Sequence, residues 1–395
     1  VTRTRKLLLA VAVLGAGCAG KDTVEPPAEL VEFESTLRVE RVWTHKIGGA
    51  TERLRLGLTP ASDGARVFAG AFNGDVVALD IVTGDEVWSQ ETELPLAAGP
   101  GFGAGILVFG TSDGDLIALD ASTGEQRWRV PVGSEVLAAP AVSQNVVVFR
   151  SVDGRLRGAS TTDGSTLWTV ESTAPTLTLR GNTAPRVAGV TAVCGFSNGR
   201  VGAYSLENGE TLWEVTVANP TGANELERLV DVGVGLQVAG NDVYAAGFQG
   251  RAIGVDLNTG LVLWEHDVSS YAGLGADGAN VYVTDEFSGI TALARRGGGV
   301  VWRQEALRLR DVTAPVRFLD AVVVGDFEGY LHWLDVADGQ FLARSRATGE
   351  RITTTPLVVG VNLLVQADDG TLAAFALVED EDEDDEEEDE VDDEA

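Results

Sequence analysis

Apolar and polar residues alternate along this chain in short runs, and from residue 43 onward the runs recur in a fixed order. Each unit holds an apolar strand, a Gly, an Asp-Gly or Asn-Gly turn, a second alternating strand, a second turn ending in Gly, and a tryptophan. Alternation with a period of two is the mark of a strand with one buried face. Copies read GAFNGDVVALDIVTGDEVW (70–88), GTSDGDLIALDASTGEQRW (110–128) and RSVDGRLRGASTTDGSTLW (150–168). They continue as GFSNGRVGAYSLENGETLW (195–213), GFQGRAIGVDLNTGLVLW (247–264) and TDEFSGITALARRGGGVVW (284–302). A seventh, GDFEGYLHWLDVADGQFLA (325–343), has Ala343 in the tryptophan position, and an eighth, ADDGTLAAFAL (367–377), stops before its second turn.

The tryptophans Trp43, Trp88, Trp128, Trp168, Trp213, Trp264 and Trp302 lie 45, 40, 40, 45, 51 and 38 residues apart, with Trp333 alone outside the register. A period near 40 built from four short strands describes a propeller blade. In the third full copy the strands are 139–143, 146–150, 156–160 and 166–170, called A to D, with SVDG and TTDG as turns. The tryptophans, at the start of strand D, are expected to pack between neighbouring blades. The eighth copy lacks a strand D, whereas residues 39–47 (VERVWTHKI) form a strand D with no A, B or C before it. The two halves complete each other. The predicted fold is all-β: an eight-bladed β-propeller over residues 38–378, four antiparallel strands per blade, closed by the N-terminal strand joining the C-terminal blade.

The flanks differ in character. Arg3, Arg5 and Lys6 precede an apolar run, Leu7 to Leu14, too short to span a bilayer. Gly15, Ala16 and Gly17 then precede Cys18, a pattern that resembles a bacterial lipobox, with Leu14 one place earlier than usual. Residues 1–17 are expected to be a signal peptide, Cys18 the lipid-modified residue and 18–37 a lipid-anchored linker. Ala19, in place of an acidic residue, points to the outer membrane with the protein facing the periplasm. Val1 fits an alternative start codon. At the other end, 379–395 holds fifteen of the sixty acidic residues and no apolar periodicity, so a disordered acidic tail is expected.

Of the formal net charge of −31, the remainder of the chain keeps −16, or −19 without the leader's three cations. No window offers the basic patch that phosphate neutralisation requires, which excludes nucleic acid as a partner. Cys194 sits in the apolar run VTAVCGF (190–196) and is expected to be a buried, inert thiol.

Departures from the period mark candidate binding loops. The interval from Trp213 to Trp264 carries its excess in ANPTGANELERLVDVG (218–233), and that from Trp168 to Trp213 in STAPTLTLRGNTAP (172–185). Both connect strand D of one blade to strand A of the next. In a propeller these connections share one face with the B–C turns, so two enlarged connectors on adjacent blades should lie side by side.

The repeat resembles the pyrroloquinoline-quinone-type propeller repeat. The chain from about 38 to 377 is similar to the BamB family, lipoproteins of the outer-membrane β-barrel assembly machinery. TLTLRGNTAP (176–185), ERLVDVG (227–233) and VVGDFEGYLHWLDVADGQF (323–341) carry the resemblance. It implies a non-enzymatic scaffold, monomeric within a hetero-complex, that binds the periplasmic POTRA domains of the barrel protein BamA and assists insertion of outer-membrane proteins. Leu177, Leu179, Arg180 and Asp231 are the implied partner-binding residues: exposed leucines beside an arginine offer apolar area and a carboxylate fork. Gly233 stands where the family has a second aspartate, and the acidic tail is not a usual family feature. ALRLRDVTAP (306–315) repeats the Leu-x-Leu-Arg…Thr-Ala-Pro pattern, so part of it belongs to a recurrent connector; Leu177 and Leu179 could instead pack under their own loop, and Arg180 could pair with Asp231 within the chain.

Two other functions compete. A quinone-dependent dehydrogenase shares the repeat, but such enzymes carry an adjacent cysteine pair and a calcium site in a longer chain. Here there is no Cys-Cys, and His45, His266 and His332 lack metal-ligand spacing, so no cofactor and no catalytic residue is expected. A propeller binding a carbohydrate or other periplasmic ligand is the second alternative.

Overall fold

The structure, a computed structural model, describes residues 25–49, 56–173, 175, 177–178, 183–232 and 235–378. The expected signal peptide, Cys18, Leu179, Arg180, Gly233 and the acidic stretch 379–395 lie outside the described residues.

Among the described residues, thirty-two strands form eight four-stranded antiparallel sheets. Blade 1 consists of Ala61–Ser62, Arg66–Gly70, Asp75–Asp80 and Glu86–Glu91, and blades 2 to 7 repeat this order along the chain. Blade 8 takes strands A to C from Leu357–Val359, Asn362–Gln366 and Thr371–Leu377, and its strand D is Val39–Lys46, paired antiparallel to Thr371–Leu377. The ring is an eight-bladed β-propeller closed as the sequence predicts.

Its core is not one mass but eight wedges, one between each pair of neighbouring blades. The tryptophans explain the repeat. Each of the seven in register donates its indole N–H to a carbonyl in the C–D turn of the next blade, as in Trp43 to Ile81 at 3.0 Å and Trp213 to Leu257 at 2.7 Å. The ring lies flat under the glycine of that turn: a Cβ on Gly84, where φ is 75°, would stand 2.6 Å from the Trp43 ring. Seven such latches run around the ring. Each joins burial of a large ring to a hydrogen bond worth about 1 kcal/mol net.

Blade 7 has no latch, and the topology says why. Its tryptophan would reach the C–D turn of blade 8, but strands C and D of that blade are opposite ends of the chain and no turn joins them. The large ring moves instead to the neighbouring strand. In the other blades strand D tryptophan faces a small residue on strand C, as Ala78 faces Trp88; in blade 7 Trp333 on strand C faces Ala343 on strand D. Trp333 is fully buried among Phe318, Leu363 and Phe375. The two irregularities of the repeat are one compensated exchange.

Residues 25–37, expected as linker, lie along the outer edge of blade 7. Thr36 and Leu37 donate their amides to the Leu342 carbonyl (2.9 and 3.2 Å), Phe33 stacks on Phe341 with centroids 5.2 Å apart, and the Arg344 guanidinium lies 5.0 Å from the Phe33 ring. Further on, the Ala28 amide donates to the Arg308 carbonyl (2.9 Å) and Glu25 takes both forks of Arg308. The segment covers part of the outer edge of strand D in blade 7.

Strand A of every blade faces an axial channel of about 1250 Å³. Five blades place a proline just before that strand, Pro60, Pro140, Pro185, Pro315 and Pro356, and blade 2 has Pro100 at a bulge within it, positions where the missing N–H removes no ladder bond.

Candidate functional site

One face of the ring carries the D–A connectors and the B–C turns. The enlarged connectors, 172–185 and 217–235, are adjacent on it, as their spacing predicts. Thr183, fully buried, donates its hydroxyl to the Val232 carbonyl, and Arg186 Nε donates to the Leu236 carbonyl at 3.3 Å.

The second connector leaves blade 4 with Val217 and Ala218 both donating to the Gly199 carbonyl (2.8 and 3.1 Å). A single helical turn follows at 225–228, held by reciprocal capping. Asn224 Oδ1 accepts from the Glu227 amide (2.9 Å), and Glu227 Oε2 accepts from the Ala223 amide (2.7 Å). This turn displays Leu226, which is 68% exposed, and the chain then dives inward through Leu229, Val230 and Val232. On the first connector Leu177 is 43% exposed. Phe248 and Tyr271, half-buried with ring centroids 6.5 Å apart, border the channel mouth beside this surface. These apolar side chains all lie on the connector face, on the successive connectors and turns that run from blade 3 to blade 6.

Asp231 is differently placed from an exposed interface charge. It is 1% exposed, its carbonyl accepts from the Phe248 amide (2.8 Å), and neither carboxylate oxygen has a hydrogen-bond partner of good geometry among the described residues. Burial pushes its pKa up, against the pull of Arg150 and Ser197. Arg150, itself buried, donates Nη2 to Ser197 Oγ (2.6 Å) and lies 5.6 Å from the Phe196 ring. Asp231 is therefore poised beneath the surface, not on it. Cys194 lies nearby, fully buried, its thiol pushed up to about 12 by burial.

The second Leu-x-Leu-Arg copy shows what such a connector does when satisfied. Leu307 is buried, and Arg310, 3% exposed, donates Nε to Asp326 (2.8 Å), Nη2 to Glu328 and Nη1 to the Ala28 carbonyl (3.0 Å). Asp326, fully buried, also accepts from His332 Nε2 (2.9 Å) and from the Glu328 and Tyr330 amides, both at 2.9 Å. Burial alone would raise this carboxyl, but His332, the Tyr330 amide and Arg310 hold it below the usual range. Burial keeps His332 below its usual value, so it is neutral, with Nδ1 accepting from Arg344 Nε at 3.4 Å. The motif at 323–341 thus forms a structural lock in blade 7, away from the enlarged connectors.

Of the sequence-predicted residues, the described ones are Leu177, on the surface, and Asp231, beneath it. Sequence reasoning missed Leu226, Phe248 and Tyr271. The Asn-x-x-Glu pattern at 224–227 was the available signal for Leu226, since it fixes a capped turn whose interior residues point outward; the two aromatics had none.

Comparison with known proteins places these observations. The family model described as outer membrane protein assembly factor BamB matches residues 38–96, 73–304 and 286–381. The relative of that name from Pseudomonas aeruginosa is 45% identical over 94% of this chain and 98% of its own length. One from Alkalilimnicola ehrlichii is 44% identical over 96% and 98%. The crystal structure of BamB from Moraxella catarrhalis superposes with a TM-score of 0.78 at 27% identity, covering 86% of this chain and 99% of that one. A quinohemoprotein alcohol dehydrogenase from Comamonas testosteroni, at 13% identity and TM-score 0.68 over 87% of this chain and 77% of its own, shares the fold alone.

Proposed function

Because the chain belongs to the BamB family of outer membrane protein assembly factors, we propose that it works by binding rather than catalysis, holding POTRA domains of a BamA-like barrel protein. The contact is the rim of blades 4 and 5. One observation carries this reading: Leu177 is exposed on its connector, whereas Leu307, at the same place in the second copy of the motif, is buried. A large apolar side chain set out on a rigid scaffold, with Leu226 exposed on the next connector, is the profile of an interface anchor. Leu179 and Arg180 belong to the same stretch of sequence and are proposed to act with it; Asp231 supports the connectors from below. The membrane link is the lipid on Cys18, in the outer membrane with the propeller in the periplasm.

The test is capture of the barrel protein from solubilised outer membranes. The wild type retains it, and Leu177→Asp and Arg180→Glu release it while keeping the wild-type unfolding midpoint. Retention by both variants sinks the assignment of the surface. No capture by the wild type sinks the partner.

A further inference from the structure

We propose that residues 25–38 are an orienting strap, which turns the connector face of blades 6 and 7 toward the membrane. The inference rests on the reading of Cys18 as the lipid-bearing residue.

The route of the segment carries the argument. Strand D of blade 8 begins at Val39, on the face of the A–B and C–D turns, beside the end of strand C at Leu377. Going back along the chain, the segment meets Leu342 near the start of strand D in blade 7, on that same face. It passes Phe341 and Arg344, then reaches Arg308 and Arg310 in the D–A connector of blades 6 and 7, on the opposite face. It therefore crosses the whole thickness of the ring. Attachment is made at both ends and in the middle: paired amides at Leu342, stacked rings at Phe341, and Ala28 bonded to both the Arg308 carbonyl and Arg310, with a solvent-exposed two-pronged ion pair from Glu25 to Arg308 beyond it.

Only six residues lie between Cys18 and Glu25. Even fully extended, they span about 25 Å. The anchor thus leaves from the connector face, and the ring hangs from the blade 6–7 corner of it. The other terminus leaves from the far side: the Val378 amide donates to the Arg38 carbonyl at 3.1 Å, so the acidic run that starts at residue 379 departs from the face turned away from the lipid. That is the electrostatically favourable side for so many negative charges near an anionic surface.

The experiment uses the full lipidated chain, with Cys194→Ser, reconstituted into phosphatidylethanolamine–phosphatidylglycerol vesicles that carry an energy-acceptor lipid. A donor dye is placed by Glu305→Cys beside the strap, by Asp113→Cys on the same face across the ring, or by Asp320→Cys on the opposite face. Transfer several-fold greater from position 305 than from 320, with 113 below 305, is the expected result, and Arg308→Glu should reduce the excess. Equal transfer from all three in protein that floats with the vesicles overturns the strap. Failure to float overturns the anchor on which it rests. A second measurement needs no membrane: amide exchange on the Cys18→Ala chain should find Ala28, Thr36 and Leu37 protected, with Arg308→Glu exposing Ala28 first. Free exchange at Ala28 in the parent chain refutes the strap outright.

Discussion

The connectors at 172–185 and 305–315 share a sequence pattern and differ in fate. At 305–315 the motif is satisfied from within: Leu307 is buried, Arg310 is held by Asp326 and Glu328, and Ala28 of the strap closes over it. At 172–185 Leu177 faces solvent. The cause is the turn beneath. Gly-Asp-Phe-Glu-Gly at 325–329 offers two carboxylates, whereas the corresponding Gly-Phe-Ser-Asn-Gly at 195–199 offers none. The nearest acid on the neighbouring connector, Asp231, sits below the surface without a hydrogen-bond partner among the described residues. The lesson is that the same Leu-x-Leu-Arg pattern is held within the blade where the neighbouring turn supplies carboxylates, and leaves its first leucine in solvent where the turn supplies none.

Four measurements bear on this contrast. The largest effect belongs to Arg310→Ala, which strands Asp326 in the interior; loss of one partner of a buried pair costs about 3–5 kcal/mol, read as a lower urea midpoint. Leu177→Asp should leave that midpoint unchanged and weaken capture of the partner by about 2 kcal/mol, roughly thirtyfold in Kd by titration. If the two variants exchange phenotypes, the contrast is wrong.

Asp231→Asn should give a smaller effect, a gain in stability at pH 7. The folded-state pKa of Asp231 lies above its unfolded value, so the ionised group subtracts stability at neutral pH, and that cost fades as pH falls through the folded value. Asp326 has the opposite sign: its depressed pKa contributes stability above the unfolded value, lost as pH falls through the folded one. Urea midpoints of wild type and variant should therefore converge in acid, and a constant offset would contradict the burial argument. Glu25→Ala should be the mildest, since Glu25 pairs with Arg308 in solvent. It should leave the midpoint in place and speed exchange at the Ala28 amide.

Much of the fold was legible because glycine, aspartate and tryptophan positions are dictated by backbone geometry and blade contacts, which repeat. Ala343 and Trp333 stood out as exceptions, but that they compensate each other appears only when strands C and D of blade 7 are paired. The site was legible as a place rather than as residues. Loop lengths located the two connectors, and the Leu-x-Leu-Arg pattern picked out Leu177. The burial of Asp231 was hidden, because it depends on Arg150, Ser197 and Phe248 from three other turns or strand ends. The strap was hidden as well, since its polar stretch has no period and its seat is composed by blade 7.

Ring closure by Val39–Lys46 against Thr371–Leu377 has a consequence for biosynthesis. The first strand to leave the ribosome is the last to find its partner, and more than three hundred residues must follow before that partner exists. Until then blade 1 lacks the Trp43 latch properly seated, and the growing arc has two open edges. Closing so long a loop is slow on topological grounds, though its entropic cost grows only logarithmically with length. Completion of the circle thus reports that the eighth blade has been made: a product that ends before Thr371 keeps several blades yet leaves Val39–Lys46 unpaired and visible to proteases.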